Sequence, residues 1–183
     1  MNKDPLLHPE HASIIQEFGE LLPVRLGLSA EVRHQGVAAM NRLLAHSTAL
    51  RDLYKKSHWQ TSGRTFFELH KLFDKHHGEQ EELMDALAER VQAFGGVSRT
   101  LAHDIVEETR LARGPSGIES PFHQLERLIA AHEFVLLEAR PLASAAATRG
   151  DDGTNDLIVS QLIRCNERQS WFVSRHIQRN PSD

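Results

Sequence analysis

The run from Phe66 to Phe94 does most to limit what this chain can fold into. Ser62-Gly63 stops a preceding helix, because glycine tolerates the left-handed conformation that closes one. Thr65 and Glu68 form a T-x-x-E capping box, which predicts a new helix from about Phe66, and Gly95-Gly96 ends it. On a wheel turning roughly 100° per residue, Leu69, Leu72, Phe73, His76, Gln80, Leu83, Leu87, Val91 and Phe94 share one arc about 100° wide. That stripe is a core face, and other helices must cover it.

The rest of the chain supplies them. Ser29 is a plausible N-cap for a first long helix through about Thr61, with Val32, Val37, Met40, Leu43, Leu44, Leu50, Leu53 and Tyr54 on its apolar faces. His34 and His46 read as surface or edge residues of that helix. Ser120-Pro121, an N-cap followed by proline at the first helical position, opens a third long helix to about Thr148. Pro141 inside it lacks an N–H and predicts a kink near residues 137–141. Asp151-Asp152-Gly153 reads as the turn before a fourth helix from about Thr154 to Ile177, with Leu157, Leu162, Trp171 and Phe172 on its buried side. In the long connection over residues 97–117, Leu101 to Leu111 fits a short helix before Gly114-Pro115-Ser116-Gly117 breaks the chain. The expected organisation is all-α: an N-terminal extension over residues 1–28, a four-helix bundle over 29–178 and a short tail over 179–183. In the extension, Ile14, Ile15, Phe18, Leu21 and Leu22 have helical spacing, so it is either a short docked helix or a loose segment. His8, Glu10 and His11 there could bind a metal, although a solvated tail is the better explanation of them.

The second helix has another face. His70, Asp74, Asp85 and Glu89 fall in an arc about 100° wide, centred roughly 150° from the core stripe. Such an arc is ordinarily solvated. Here it also carries Phe67, Gly78 and Ala88, which suits close approach by another element better than open water. His70 with Asp74, and Asp85 with Glu89, are i,i+4 neighbours, yet the two pairs stand roughly 16 Å apart along the helix. One metal ion with ligands at about 2.0–2.6 Å cannot gather both from a single straight helix. The four positions are, however, mirror-symmetric about residues 79–80. Two copies packed antiparallel about a two-fold there would set His70 and Asp74 of one chain against Asp85 and Glu89 of the other, with Gly78 near the crossing, and each site would occur twice. The hairpin between the first two helices brings His58 and His70 face to face. The site expected is therefore His58, His70 and Asp74 from one chain with Asp85 and Glu89 from its mate. Mixed imidazole and carboxylate ligation suits Fe(II), with Zn(II) and Mn(II) as competitors.

With Trp59 following His58, the order His-x11-His-x3-Asp-x10-Asp-x3-Glu resembles the Dps family (DNA-binding protein from starved cells), the mini-ferritins. The surrounding HW…G…F…LH…D…D…AER…GG framework matches as well, and a looser likeness extends to Ile177. The resemblance implies a ferritin-like four-helix bundle with a short extra helix between the second and third long helices, assembling into a hollow dodecamer. It implies di-iron ferroxidase sites between subunits that oxidise Fe(II), preferentially with hydrogen peroxide rather than O2, and storage of the ferric product inside. Glu89 would be the principal tight ligand or a bridge between two irons. Trp59 would lie near the site and intercept stray oxidising equivalents, the alternative being a ring that fills the hairpin end. His77, close to the site face, is a candidate for a contact behind the ligands or an extra ligand, whereas His76 points to the core. In the family, acidic residues at the start of the fourth helix line iron-entry channels, which makes Asp151, Asp152 and Asp156 candidates. Stabilisation of the helix dipole alone also accounts for these three.

Composition bounds the alternatives. At 183 residues with 40% hydrophobic and 25% charged positions, the chain is one ordinary globular domain. A lone Cys165 excludes an intramolecular disulfide and suits a reducing cytosol; no membrane span or signal-like segment stands out, so a cytoplasmic location is expected. Many family members compact DNA through basic mobile tails, which gain affinity by releasing counterions. Here residues 1–30 set Lys3 and Arg25 against Asp4, Glu10, Glu17 and Glu20, and the net charge is −4, so weak or no DNA binding is expected. A metal-buffering cage without turnover is the remaining alternative.

Overall fold

The computed structural model describes residues 13–178, which leaves His8, Glu10, His11 and the 179–183 tail outside the described residues. Four long helices form a bundle: α1 (Ala30–Gln60), α2 (Phe66–Ala93), α4 (Pro121–Thr148), and a fourth running without a break through α5 (Asp152–Asp156), a π-helical segment (Leu157–Ile163) and α6 (Arg164–Arg175). The short α3 (Ala102–Glu108) lies in the connection from α2 to α4. Among the described residues no helix is long and apolar enough to cross a membrane.

Local chemistry sets the helix ends. Ser29 Oγ accepts from the Val32 amide at 3.2 Å and Ser120 Oγ from the His123 amide at 3.3 Å, satisfying N–H groups that have no partner inside the helix. The helix starting at Phe66 lacks the capping box its sequence predicts. Thr65 lies at φ −99, ψ 19, so its side chain is not presented to the first turn and makes no capping bond. Gly63 at φ +88 makes the preceding turn.

Pair contacts give the directions. Gly36 meets Phe94 while Tyr54 meets Phe73, so α1 and α2 are antiparallel. His46 lies beside Phe134 and Tyr54 beside His132, which makes α1 and α4 antiparallel too. Consequently α2 and α4 run the same way, and the chain must traverse the bundle between them. That crossover follows α1: Asn41 bonds Val97 and Arg99, His46 meets Thr109, and Lys56 Nζ donates to the Gly117 carbonyl at 3.0 Å.

The α2 stripe is buried much as its periodicity predicts: Leu69, Phe73, His76, Gln80, Leu83, Leu87, Val91 and Phe94 lie in the interior, and Leu72 at its edge is half-buried. Each large apolar side chain so covered contributes about 1.5–3 kcal/mol. Its two polar members find partners within the bundle, although Gln80 Oε1 is left without one. His76 Nδ1 approaches Tyr54 Oη at 3.1 Å, and Gln80 Nε2 donates to Gln169 Oε1 at 2.9 Å. Cys165 is buried, as expected of a small hydrophobe, and burial pushes its thiol up to about 11.

Four expectations need correction. The extension is docked but not helical over residues 13–29: the Leu22 amide donates to the Gly95 carbonyl at 2.9 Å, and Arg33 holds both the Leu22 and Phe94 carbonyls. Gly95 (φ +79) is needed there, because a Cβ would lie 2.5 Å from the Leu22 oxygen. Pro23 and this pairing with the end of α2 suit an extended strap rather than a helix. The turn before the fourth helix is Arg149-Gly150, with Gly150 at φ +76, and Asp151 is the cap instead of part of the turn. Trp171 is 53% exposed and Phe172 only half-buried, because Val173 takes the core position. The π-helical segment carries roughly one residue more than an α-helix would over the same path, so the buried stripe slips one place, through Asn166, Gln169 and Val173. Finally, His46 is not a surface residue. It is 0% exposed, covered by the crossover at Thr109 and by Phe134.

Burial lowers the affinity of three imidazoles for protons: His46 and His132 to about 4, His76 to about 3. Between these values and the ordinary 6.5 the unfolded chain binds more protons than the native one, so stability falls as pH drops through that window. The urea midpoint is expected to decline from about pH 6.5 towards pH 4, each histidine contributing on the order of 1–3 kcal/mol. His46→Met should flatten that slope, measured by denaturation at a series of pH values.

Candidate metal centre

The hairpin joining α1 and α2 places the two histidines of the motif against each other. His58 is in the last turn of α1, whose carbonyls lack partners within the helix. The His70 ring fills that need: its Nδ1 lies 2.9 Å from the His58 carbonyl, and His58 Nδ1 lies 2.8 Å from the His70 carbonyl. The rings stack with centroids 3.7 Å apart and planes at 21°. A carbonyl only accepts, so each Nδ1 carries the proton, and each neutral ring keeps its lone pair on Nε2. Backbone geometry has thus set both imidazoles in the tautomer a metal requires.

Asp74 stands one helical turn beyond His70, with Oδ1 3.8 Å from His58 Nε2. The Lys55 ammonium donates to the same oxygen at 3.0 Å and holds the Asp74 carboxyl below the usual carboxylate range. Sequence reasoning did not single out Lys55. Its only signal is its place on α1, one turn before His58. Its ammonium balances the charge of this carboxylate in the single chain.

Asp85 and Glu89 are on the same helix and exposed, well along it from His70 and Asp74. Among the described residues of one chain, no three His, Cys, Asp or Glu side chains converge to hold a metal ion. Gly78, between the two pairs, meets nothing: a Cβ there would have no neighbour within 4 Å, so the chain's own packing does not call for glycine. Trp59 is 70% exposed and does not fill the hairpin end; the Lys55 ammonium lies 6.0 Å from its ring centroid. His77 is half-buried, which lowers its proton affinity, and its Nδ1 lies 3.8 Å from Glu81 rather than on the ligand pair.

A model of the ferritin-like domain family matches residues 37–181. The fold aligns with DpsC from Streptomyces coelicolor at a TM-score of 0.91 and 44% identity, covering 92% of this chain and 98% of that one. The chain belongs to the Dps family of ferritin-like proteins. An uncharacterised protein from the bpoA2 5' region of Kitasatospora aureofaciens is 44% identical over 151 residues, 82% of this chain and all of that protein. A nutrient stress-induced DNA-binding protein of a Synechococcus strain is 29% identical over 158 residues, 86% of this chain and 90% of that relative. The family is, in general terms, one of iron storage and DNA protection.

The acidic start of the fourth helix in this Dps chain divides by burial. Asp151 is 3% exposed: it accepts from the Thr154 amide at 3.1 Å and from Arg90 Nη2 at 2.7 Å. Its carboxylate is therefore a cap and an ion-pair partner turned inward, and it cannot line a channel. Asp152 and Asp156 are exposed, and Asp156 accepts from Ser160 Oγ at 2.6 Å. Asp151→Ala is expected to cost about 2–4 kcal/mol, combining a lost cap with a cation left without its partner. Asp152→Ala should stay within about 0.5 kcal/mol. Urea denaturation of the two variants checks the contrast.

Proposed function

We propose that this Dps protein oxidises Fe(II), with hydrogen peroxide preferred over O2, at sites shared across a two-fold axis, and stores the ferric product inside a hollow dodecamer. The observation that carries this reading is the reciprocal lock of His58 and His70. Two imidazoles that spend Nδ1 on each other's carbonyl and leave Nε2 for a ligand stand beside Asp74 as half of a ligand set, while Asp85 and Glu89 face outward on the same helix as the other half. An antiparallel mate would join the halves, with its Asp85 and Glu89 completing the site. Membership of a family concerned with iron storage supports iron as the substrate; zinc is the competitor such a donor set also takes.

The roles follow from the residues. Asp74 can take Fe(II) only where the Lys55 ammonium, which donates to the same oxygen, gives way. His58 and His70 bind through Nε2, the ring atom opposite the Nδ1–H that each gives to the other's carbonyl. Glu89 would hold the metal most tightly, its carboxylate charge favouring Fe(III) over Fe(II). Trp59, exposed beside the ligands, takes up stray oxidising equivalents. Exposed Asp152 and Asp156 draw cations towards the interior.

Glu89→Ala is expected to slow Fe(II) oxidation by peroxide at least tenfold; equal rates in the two proteins would reduce the molecule to a metal-buffering cage. Chain sharing has its own test. Assemblies refolded from equal amounts of Glu89→Ala and His70→Ala chains should recover about a quarter of the intact sites, since each mixed pair contains one complete set. No recovery would place all five ligands in one chain.

DNA compaction is the second reading, favoured by the DNA-binding name of the Synechococcus relative. The N-terminal segment here is acidic on balance and the chain carries −4, which opposes phosphate binding. Gel retardation at low salt is expected to be weak, and tight, salt-sensitive retention would make DNA a partner after all.

A further inference from the structure

Tyr54 is the sole tyrosine of the chain, and its side chain is wholly buried. Its hydroxyl lies between two imidazoles on different helices, 3.1 Å from His76 Nδ1 and in hydrogen-bond contact with His132 Nε2. The far end of the network fixes the proton positions. Asn166 spends its amide nitrogen on the Leu162 carbonyl at 2.8 Å, so its Oδ1, 2.8 Å from His132 Nδ1, must be accepting. His132 therefore carries its proton on Nδ1, and burial keeps the ring neutral with a bare Nε2. It follows that Tyr54 donates its O–H to His132 and accepts the N–H of His76 on the same oxygen.

A phenol so placed is prepared to lose an electron and a proton together. A phenol cation radical is far more acidic than an imidazolium, so the proton crosses as the electron leaves. The His76 N–H then stabilises the phenoxyl oxygen. Burial also pushes the Tyr54 phenol above its ordinary range, so the group does not lose a proton alone. The pair lies close to the iron site. Tyr54 precedes His58 by one turn, about 6 Å of helix rise. Its ring centroid is 6.1 Å from that of Phe73, the residue adjoining Asp74.

We propose that Tyr54 is a one-electron donor to the site at His58, His70 and Asp74, with His132 as the acceptor of its proton. The proposal rests on the iron-oxidation reading above. It applies when peroxide meets a single Fe(II), so that no second ferrous ion is present to supply the other electron. One electron from Fe(II) breaks the O–O bond into hydroxide and a hydroxyl-radical equivalent. A second electron, from Tyr54, converts that equivalent to hydroxide, and the phenolic proton moves to His132 Nε2. One Fe(II), one peroxide, one phenol and one imidazole thus give one Fe(III), two hydroxides, one phenoxyl radical and one imidazolium. Oxygen is fully reduced and no hydroxyl radical escapes.

The test is freeze-quench electron paramagnetic resonance on the assembled protein loaded with less than one Fe(II) per site and mixed with excess hydrogen peroxide. A tyrosyl signal is expected, and with one tyrosine in the chain its assignment is unambiguous. Tyr54→Phe should abolish the signal and raise spin-trapped hydroxyl radical per iron oxidised several-fold, with the rate at two Fe(II) per site unchanged. His132→Gln, which keeps the phenol but removes the base, should cut the radical yield. Glu89-dependent iron oxidation without a tyrosyl signal would sink the Tyr54 proposal and leave the ferroxidase reading standing. A photochemical one-electron oxidant applied without iron judges the Tyr54–His132 pair separately if oxidation proves independent of Glu89. A tyrosyl radical insensitive to His132→Gln there would overturn it.

Discussion

The rotation of α2 about its own axis is the constraint on which everything else hangs. Its apolar stripe must be covered, and α1 and the fourth helix cover it along its whole length, from Leu69 to Phe94. Once that stripe is turned inward, no freedom remains for the opposite side. His70, Asp74, Gly78, Asp85 and Glu89 are displayed outward as a consequence of core packing. The energy that orients this face of candidate ligands is hydrophobic, although none of the five residues takes part in it.

A second layer of order is polar. The His58–His70 exchange uses one carbonyl that a helix end leaves without a partner and a second lone pair on a carbonyl already inside a helix. It ties the hairpin and sets two tautomers at once. In the bundle centre, Tyr54, His76, Gln80, His132, Asn166 and Gln169 draw together groups from every long helix. Such a network is expensive if any member lacks its partner, so it discriminates against slipped packings of helices whose apolar stripes alone would tolerate them. The π-helical segment belongs to the same solution. Without its extra residue, Asn166 and Gln169 would not share the face that meets His132 and Gln80.

The crossover decides what α1 looks like from outside. Its path along α1 buries His46 and caps the bundle on that side, while leaving Trp59 and the start of α2 uncovered. Large apolar side chains at Trp59 and Phe67 are therefore exposed in one chain next to the candidate ligands His58 and His70, where a shared site would need its partner to sit.

Local rules were enough to read much of this protein. Periodicity located four helices and the face of α2 that enters the core, because a 3.6-residue repeat is written in the order of residues. Ser29 and Ser120 marked helix starts, and the spacing from His58 to Glu89 named the candidate ligands. Tertiary structure decided the rest. Thr65 had the sequence of a capping box but not its backbone angles. His46 looked like an edge residue because the segment covering it is more than fifty positions away in the chain. Trp171 and Phe172 were misread because a π-helical slip changes phase without any mark in composition. Lys55, Tyr54 and His132 acquired meaning only from neighbours on other helices. Sequence order determines which side of each helix is apolar; which distant groups then meet depends on how those sides are packed, and packing is a property of the whole chain.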